Sequence, residues 1–509
     1  MKSGPKPPSS DTGKRPTCAG ATGRIRIGKG DDRRQTADER ITTNRNRPSS
    51  VVCRQQHTRK LTMQRNETPN ISAHARWFPQ ARYGMFIHWG PYAEHARGEQ
   101  VLFREHLDQA EYERRACAWN PQRFDAAAWA ATAVRGGMKY AVLTTRHHDG
   151  YCLWDSALTD YTSVQQAPKR DFVAEYVEAF RAAGLRVGLY YSLADWRVPA
   201  YWEGPRRDPE GWAAFRAYVH GQVRELLSNY GTIDVIWFDG AWPQSAAEWK
   251  SGQLVEPIRQ LQPEILINNR LGADDPADDV PGSVVPSTGR SRHLGDFGTP
   301  EHEIRAEAGL WESCQVSTWR LWGYTAGEQW RSAELLLDML VESAGKGGNL
   351  LLNVGPTPEG ELPAPFVERA EAIGRWLVVN GEAIYGVEAG EVCEFITCGR
   401  QTRKGDNLYL IVRFWDGTGT IRLGGLATRV RRAVLLASGQ EVAFTQNSDH
   451  LLLTGLPYER PSALFPVIRL ECDGPPRPTA WAADRLWQGD PARMTEWARQ
   501  RGESVWVGR

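Results

Sequence analysis

Short apolar runs, each ending abruptly in polar side chains and each separated from the next by a helical stretch, leave this chain few folds to adopt. The runs cover residues 83–90 with His88 closing the apolar part, 140–150 with His147, His148 and Asp149 near the end, 186–192 with Tyr190 and Tyr191 near the end, 234–240 with Asp239 near the end, and 264–270 closing on Asn268, Asn269 and Arg270. Helical patterning fills 124–134, 171–183, 212–227 and 253–261. Further strands are expected at 316–321 and 349–354, with a helix over 333–342 between them. Strands of this length alternating with helices predict βα units and a parallel sheet. The count favours a (β/α)₈ barrel, in which polar residues at successive strand ends converge on one face. No Gly-x-Gly-x-x-Gly loop follows the first strand, which argues against a dinucleotide fold.

Asp239 closes the run Asp234-Val235-Ile236-Trp237-Phe238-Asp239. A carboxylate at the end of a buried strand, beside rings able to cover a sugar face, is suited to attack a glycosidic carbon. Taken alone, the run also fits an Asp that caps a helix or starts a turn. The 21 tryptophans exceed what a core of this size requires, although packing is the ordinary role of any one of them.

At 509 residues the chain accommodates a barrel over 66–386 and an added module. Beyond 386 the pattern changes to short strands at 408–412, 420–423, 433–436, 451–454 and 465–470, separated by Gly, Asn, Asp and Pro turns. This predicts an antiparallel β-sandwich over 387–475. The tail over 476–509 has no assignable pattern. Residues 1–65 hold 16 Lys and Arg against 5 Asp and Glu, so the chain's net charge of +1 conceals a basic start and an acidic remainder. That start lacks periodicity and is expected to be a disordered extension, with translation of the working protein beginning at Met63. No aromatics interleave its charges, so nucleic acid is not an expected partner. No apolar signal region or membrane span is evident, and the eight scattered cysteines read as reduced thiols; a cytoplasmic protein is expected.

Several motifs occur in a fixed order: Phe86-Ile87-His88-Trp89-Gly90, Thr145-Arg146-His147-His148-Asp149-Gly150, Pro168-Lys169-Arg170-Asp171, Leu189-Tyr190-Tyr191-Ser192, Trp237-Phe238-Asp239, Asn269-Arg270, Trp311-Glu312-Ser313-Cys314, and the run from Lys346 to Pro356. Together, from about Trp77 to Gly386, they resemble the α-L-fucosidases of glycoside hydrolase family 29. The resemblance implies a retaining exo-hydrolase that needs no cofactor and acts on fucosylated oligosaccharides or glycoconjugates. It assigns Asp239 as nucleophile. It places the acid/base in a variable loop whose best match is 295–301, hence Glu301, with Glu303 and Glu312 as rivals. It implies that His88, Glu99, His147, His148, Tyr190, Trp237, Arg270 and Trp322 hold the sugar. The sequence departs from the family where an aromatic often follows the binding Glu; Gln100 stands there instead.

Two other readings remain. His88, His147, His148, Asp149 and Asp239 on one barrel face offer donors for zinc and a metal-dependent hydrolase, although the first strand lacks a His-x-His pair. A fucose-binding barrel without turnover is the other, and the presence of Asp239 weighs against it.

Overall fold

The structure is a computed structural model that describes residues 72–274, 290–291, 293–389, 392–393, 396–448 and 450–479. The expected extension over 1–65, the start at Met63 and nearly all of the 476–509 tail lie outside the described residues. Eight strands form one sheet: β1 Tyr83–Ile87, β2 Tyr140–Arg146, β3 Arg186–Ser192, β4 Val235–Asp239, β5 Leu266–Ile267, β6 Phe297–Gly298, β7 Leu310–Val316 and β8 Asn349–Val354. Their order is β5-β4-β3-β2-β1-β8-β7-β6, with every pairing parallel. A parallel bridge from Asn268 to Phe297 joins the two edges and closes the barrel.

The closing strands are two residues long, and side chains replace the missing ladder. Asn268 accepts from Phe238 N at 2.7 Å and donates to Phe238 O at 2.9 Å. Asp296 accepts from Ile267 N at 2.7 Å while Arg259 grips the same carboxylate. These bonds supply partners that buried strand backbone requires.

Alternation along each strand decides what enters the barrel. Phe86, Tyr140, Val142, Tyr190, Val235, Trp237, Leu266, Phe297, Cys314 and Leu351 belong to one interior cluster, while the intervening residues meet the surrounding helices. The filling is tight enough to dictate residue type. A side chain at Gly84 would stand 2.5 Å from the Tyr140 ring, so glycine at 84 is what admits that ring. Phe78, in the helix Trp77–Ala81, packs against Tyr140 and Phe297 and closes the barrel floor.

Two expected elements differ. The strand anticipated at 316–321 lies at Leu310–Val316, because the buried face there carries Glu312 and Cys314 rather than an apolar run. β6 was not anticipated, being too short for any periodicity.

The C-terminal strands form a five-stranded and a three-stranded antiparallel sheet around their own apolar core, a β-sandwich as expected. It leans on the barrel's outer helices: Arg400 forms ion pairs with Asp338 and Glu342, and Trp376 Nε1 donates to Phe465 O at 2.7 Å. Among the described residues no helix is long and apolar enough to cross a membrane.

Candidate active site

Strand parity builds the site. Val235, Trp237 and Asp239 share the interior face of β4, with Tyr190 in register with Trp237 and Ser192 with Asp239 on β3. Gly240 then turns the chain at φ 70°, where a side chain would press on Ser192 Oγ and Ala194. Asp239 therefore stops at the barrel mouth with both oxygens held: Oδ2 accepts from Tyr190 OH at 3.0 Å and Oδ1 from Arg270 at 3.2 Å. It faces a cavity of about 300 Å³ walled by Phe86, Trp237, Trp242 and Trp322, the three histidines His88, His147 and His148, and the charges of Arg270, Arg290 and Glu301. Gln100, Tyr190 and Cys314 complete the lining. The volume suits one sugar ring, at the small end of ligand pockets.

The histidines are neutral acceptors. Asn353 uses its amide nitrogen to donate to Trp322 O at 2.7 Å, so its oxygen accepts from His88 Nδ1 at 2.6 Å and leaves Nε2 a lone pair. Ser192 Oγ donates to Ala194 O, so it accepts from His148 Nδ1 at 2.7 Å, leaving the His148 Nε2 lone pair 3.8 Å from Asp239. Burial lowers His88 to about 3 and His148 to about 4, the latter despite the charge of Asp239. Burial also puts His147 well below its ordinary value, and its Nδ1 has no partner among the described residues. Such a set accepts hydroxyl protons across the physiological range.

Glu301 sits on the rim after β6, bridging in parallel to Cys314 on β7, and its carboxylate meets Arg270 at 2.8 Å. Arg270 thus spans both candidate catalytic carboxylates while its guanidinium covers the Trp237 ring, 4.7 Å from the centroid. Burial pushes Glu301 up, but the charge and hydrogen bond of Arg270 outweigh it and hold the carboxyl below its usual range.

A model of the α-L-fucosidase family matches residues 50–382. The chain belongs to the α-L-fucosidase family. It is accordingly a glycoside hydrolase. Among curated relatives, the bovine tissue α-L-fucosidase is 29% identical over 416 residues, covering 76% of this chain and 86% of the relative. Among solved structures, α-L-fucosidase isoenzyme 1 from Paenibacillus thiaminolyticus superposes with a TM-score of 0.70 at 38% identity, covering 79% of this chain and 99% of that one. A family 29 enzyme from Bacteroides thetaiotaomicron, trapped as a covalent intermediate with 2-fluoro-fucosyl fluoride in a Glu-to-Gln mutant, matches with a TM-score of 0.71 at 26% identity over 79% of this chain and 96% of its own.

Seven of the eight sugar-holding residues that the fucosidase resemblance implies line the cavity. Glu99 does not. It is buried, with one oxygen accepting from Trp322 N and Gly323 N at 3.0 and 2.9 Å and the other without a hydrogen-bond partner among the described residues, and so it carries the Trp322 loop of the cavity wall. The rival acids also stand elsewhere. Glu303 is exposed and pairs with Arg305. Glu312 is fully buried beneath the site, accepting from Trp237 Nε1 at 2.8 Å and from Tyr140 OH at 2.5 Å. The zinc set does not assemble either: Asp149 accepts from Tyr112 OH at 2.7 Å, and among the described residues no three His, Cys, Asp or Glu side chains are grouped for a metal. Ser192 and Asn353, which fix the histidine tautomers, were missed; their inward parity was a usable signal. Trp242 and Arg290 were missed too, and their loops carry no periodicity.

Glu312 supplies a pH test of the barrel. Burial raises its carboxyl from 4.5 to about 7, although Tyr140 and Trp237 pull it back. The folded state therefore binds this proton more tightly, and its contribution to stability is complete below about 4.5 and lost as pH rises through about 7. Glu312→Gln keeps the acceptor for Trp237 and should flatten that decline in thermal melts between pH 5 and 8. A variant whose melting temperature tracks the parent's at every pH would refute the assignment.

Proposed function

We propose that this α-L-fucosidase releases terminal α-L-fucose from oligosaccharides or glycoconjugates by double displacement, with Asp239 as nucleophile and Glu301 as acid/base. The observation that carries the reading is Arg270, which holds the two cavity carboxylates on one guanidinium. A retaining pair stands about 5 to 5.5 Å apart, a spacing that one guanidinium can bridge.

In the first step an Asp239 oxygen attacks the anomeric carbon while Glu301 gives its proton to the departing oxygen. The bound sugar buries Glu301 further and keeps it beside the Asp239 charge, both of which favour its protonated form. Ester formation then removes the Asp239 charge. Glu301, a carboxylate since it gave up its proton, now stays ionised and draws a proton from the incoming water as that water's oxygen attacks the anomeric carbon and releases Asp239. The covalent intermediate trapped in the Bacteroides relative supports this course. His88, His147, His148 and Tyr190 hold the hydroxyls, and Trp237 and Trp322 cover apolar parts of the ring. Proton NMR of the first-formed fucose tests the stereochemistry: the α anomer is expected, and the β anomer would refute double displacement.

The Arg270 pair also fixes a pH dependence. Glu301 must be protonated to act as acid, yet in the free enzyme Arg270 holds its carboxyl below the usual range. The kcat/KM for a fucoside with an unactivated leaving group should therefore fall as pH rises from the acid side, whereas α-L-fucosyl fluoride, which needs no protonation, should show no such limb. Identical profiles for the two substrates would contradict the role of Glu301.

Catalysis is assigned to residues 66–386, with the sandwich over 387–475 as a packing module. Residence in the cytoplasm is part of this proposal and rests on the scattered spacing of the eight cysteines in the sequence.

A further inference from the structure

Phe103 and Trp202 are about half exposed, 49% and 50%, and their rings stack on each other at 5.7 Å and 14°. Trp196 backs the pair: its ring lies 5.3 Å from Phe103, and its carbonyl accepts from Trp202 Nε1 at 2.9 Å. Single exposed apolar residues need no explanation, but a fixed cluster of large rings marks a recognition surface. Its position narrows the occupant. Phe103 follows β1, and Trp196 and Trp202 follow β3, so all three rise from strand C-termini on the same barrel face as Asp239. Trp196 also packs 5.2 Å from His148, which lines the catalytic cavity, and Gln100 of that cavity leads directly into the helix Val101–Arg104 that carries Phe103. The rings bound a second cavity of about 310 Å³, whose wall adds His106 and Gln109.

We infer that Phe103 and Trp202 form an aglycone subsite that holds the pyranose carrying the fucose. This rests on the fucosidase reading: only the terminal sugar fits the 300 Å³ cavity, so the rest of the glycan must lie outside it. A pyranose offers one face of axial C–H bonds to the electron-rich face of an aromatic ring, and its rim hydroxyls can reach His106 and Gln109. The preferred substrate class is then a fucosylated oligosaccharide rather than a fucoside of a small alcohol.

The test compares kcat/KM of the full chain on a fucosyl-lactose trisaccharide with that on α-L-fucosyl fluoride, whose leaving group has no ring. Phe103→Ala and Trp202→Ala should each lower the trisaccharide-to-fluoride ratio roughly three- to tenfold, through KM on the trisaccharide. Fluoride turnover should be unchanged, which also shows that the variants fold. Trp202→Phe should recover most of the loss. An unchanged ratio, or parallel loss on both substrates, overturns the subsite. So does a dimer in light scattering that Phe103→Ala dissociates, since the rings would then serve contact between two copies. A wild-type chain inactive on the fluoride would instead sink the fucosidase reading itself.

Discussion

Asp239→Ala is expected to lower kcat on p-nitrophenyl α-L-fucoside by a factor on the order of 10⁴ or more, because the other cavity carboxylate, Glu301, is assigned to the leaving-group side and does not replace the nucleophile. The fold should survive the change. Arg270 keeps Glu301 as its counter-ion at 2.8 Å, so no buried cation is left unpaired, and Tyr190 OH loses one bond at a site open to water. Fucose should still bind, since the histidines and the ring wall remain. Added azide would enter the vacated space and attack from the nucleophile's side in a single displacement, giving the β-fucosyl azide. Residual activity within about tenfold of the parent would contradict the nucleophile assignment.

Glu301→Ala should separate substrates by leaving group. On an unactivated fucoside the loss should be about 10²- to 10⁴-fold, the usual value of a positioned acid. On an aryl fucoside the first step needs little protonation, so the ester accumulates and its hydrolysis, now lacking a base, limits turnover. Azide should relieve that limit by attacking the ester, and two inversions give the α-fucosyl azide. The configuration of the azide product thus distinguishes the two carboxylates. A Glu301 variant equally slow on both substrates, with no azide product, would return the role to another acid.

Much of this arrangement is legible in the sequence. Strands ending in His88, His147, His148, Tyr190, Asp239 and Arg270 predicted the barrel and the gathering of these side chains at one cavity, because parallel strands direct their C-termini to one face. What escaped notice was polar structure inside the fold. The segment Leu310–Val316 reads poorly as a strand because Glu312, Ser313 and Gln315 are buried there, each with a hydrogen-bond partner that only the folded barrel provides. The edge strand Gly399–Lys404 contains no large apolar residue, and its Arg400 is explained only by Asp338 and Glu342 on a barrel helix. Glu99 illustrates the opposite difficulty. A motif can assign it to the sugar, yet it cannot show that one of its oxygens holds the backbone of Trp322 and Gly323, which only packing provides. For the same reason the sequence put Glu301 ahead of Glu303 and Glu312 by resemblance alone, with no measure of where each side chain stands. One faces the cavity, one faces solvent, and one is sealed beneath Trp237.

The most direct measurement is mass spectrometry of the protein after reaction with 2-fluoro-fucosyl fluoride, followed by peptide mapping. The fluorine slows ester hydrolysis, so a true nucleophile remains labelled. The account predicts one added 2-fluoro-fucosyl group, carried by the peptide containing Asp239 and absent from Asp239→Ala. A label on Glu301, or full turnover of the reagent with inversion and no labelled peptide, would contradict it.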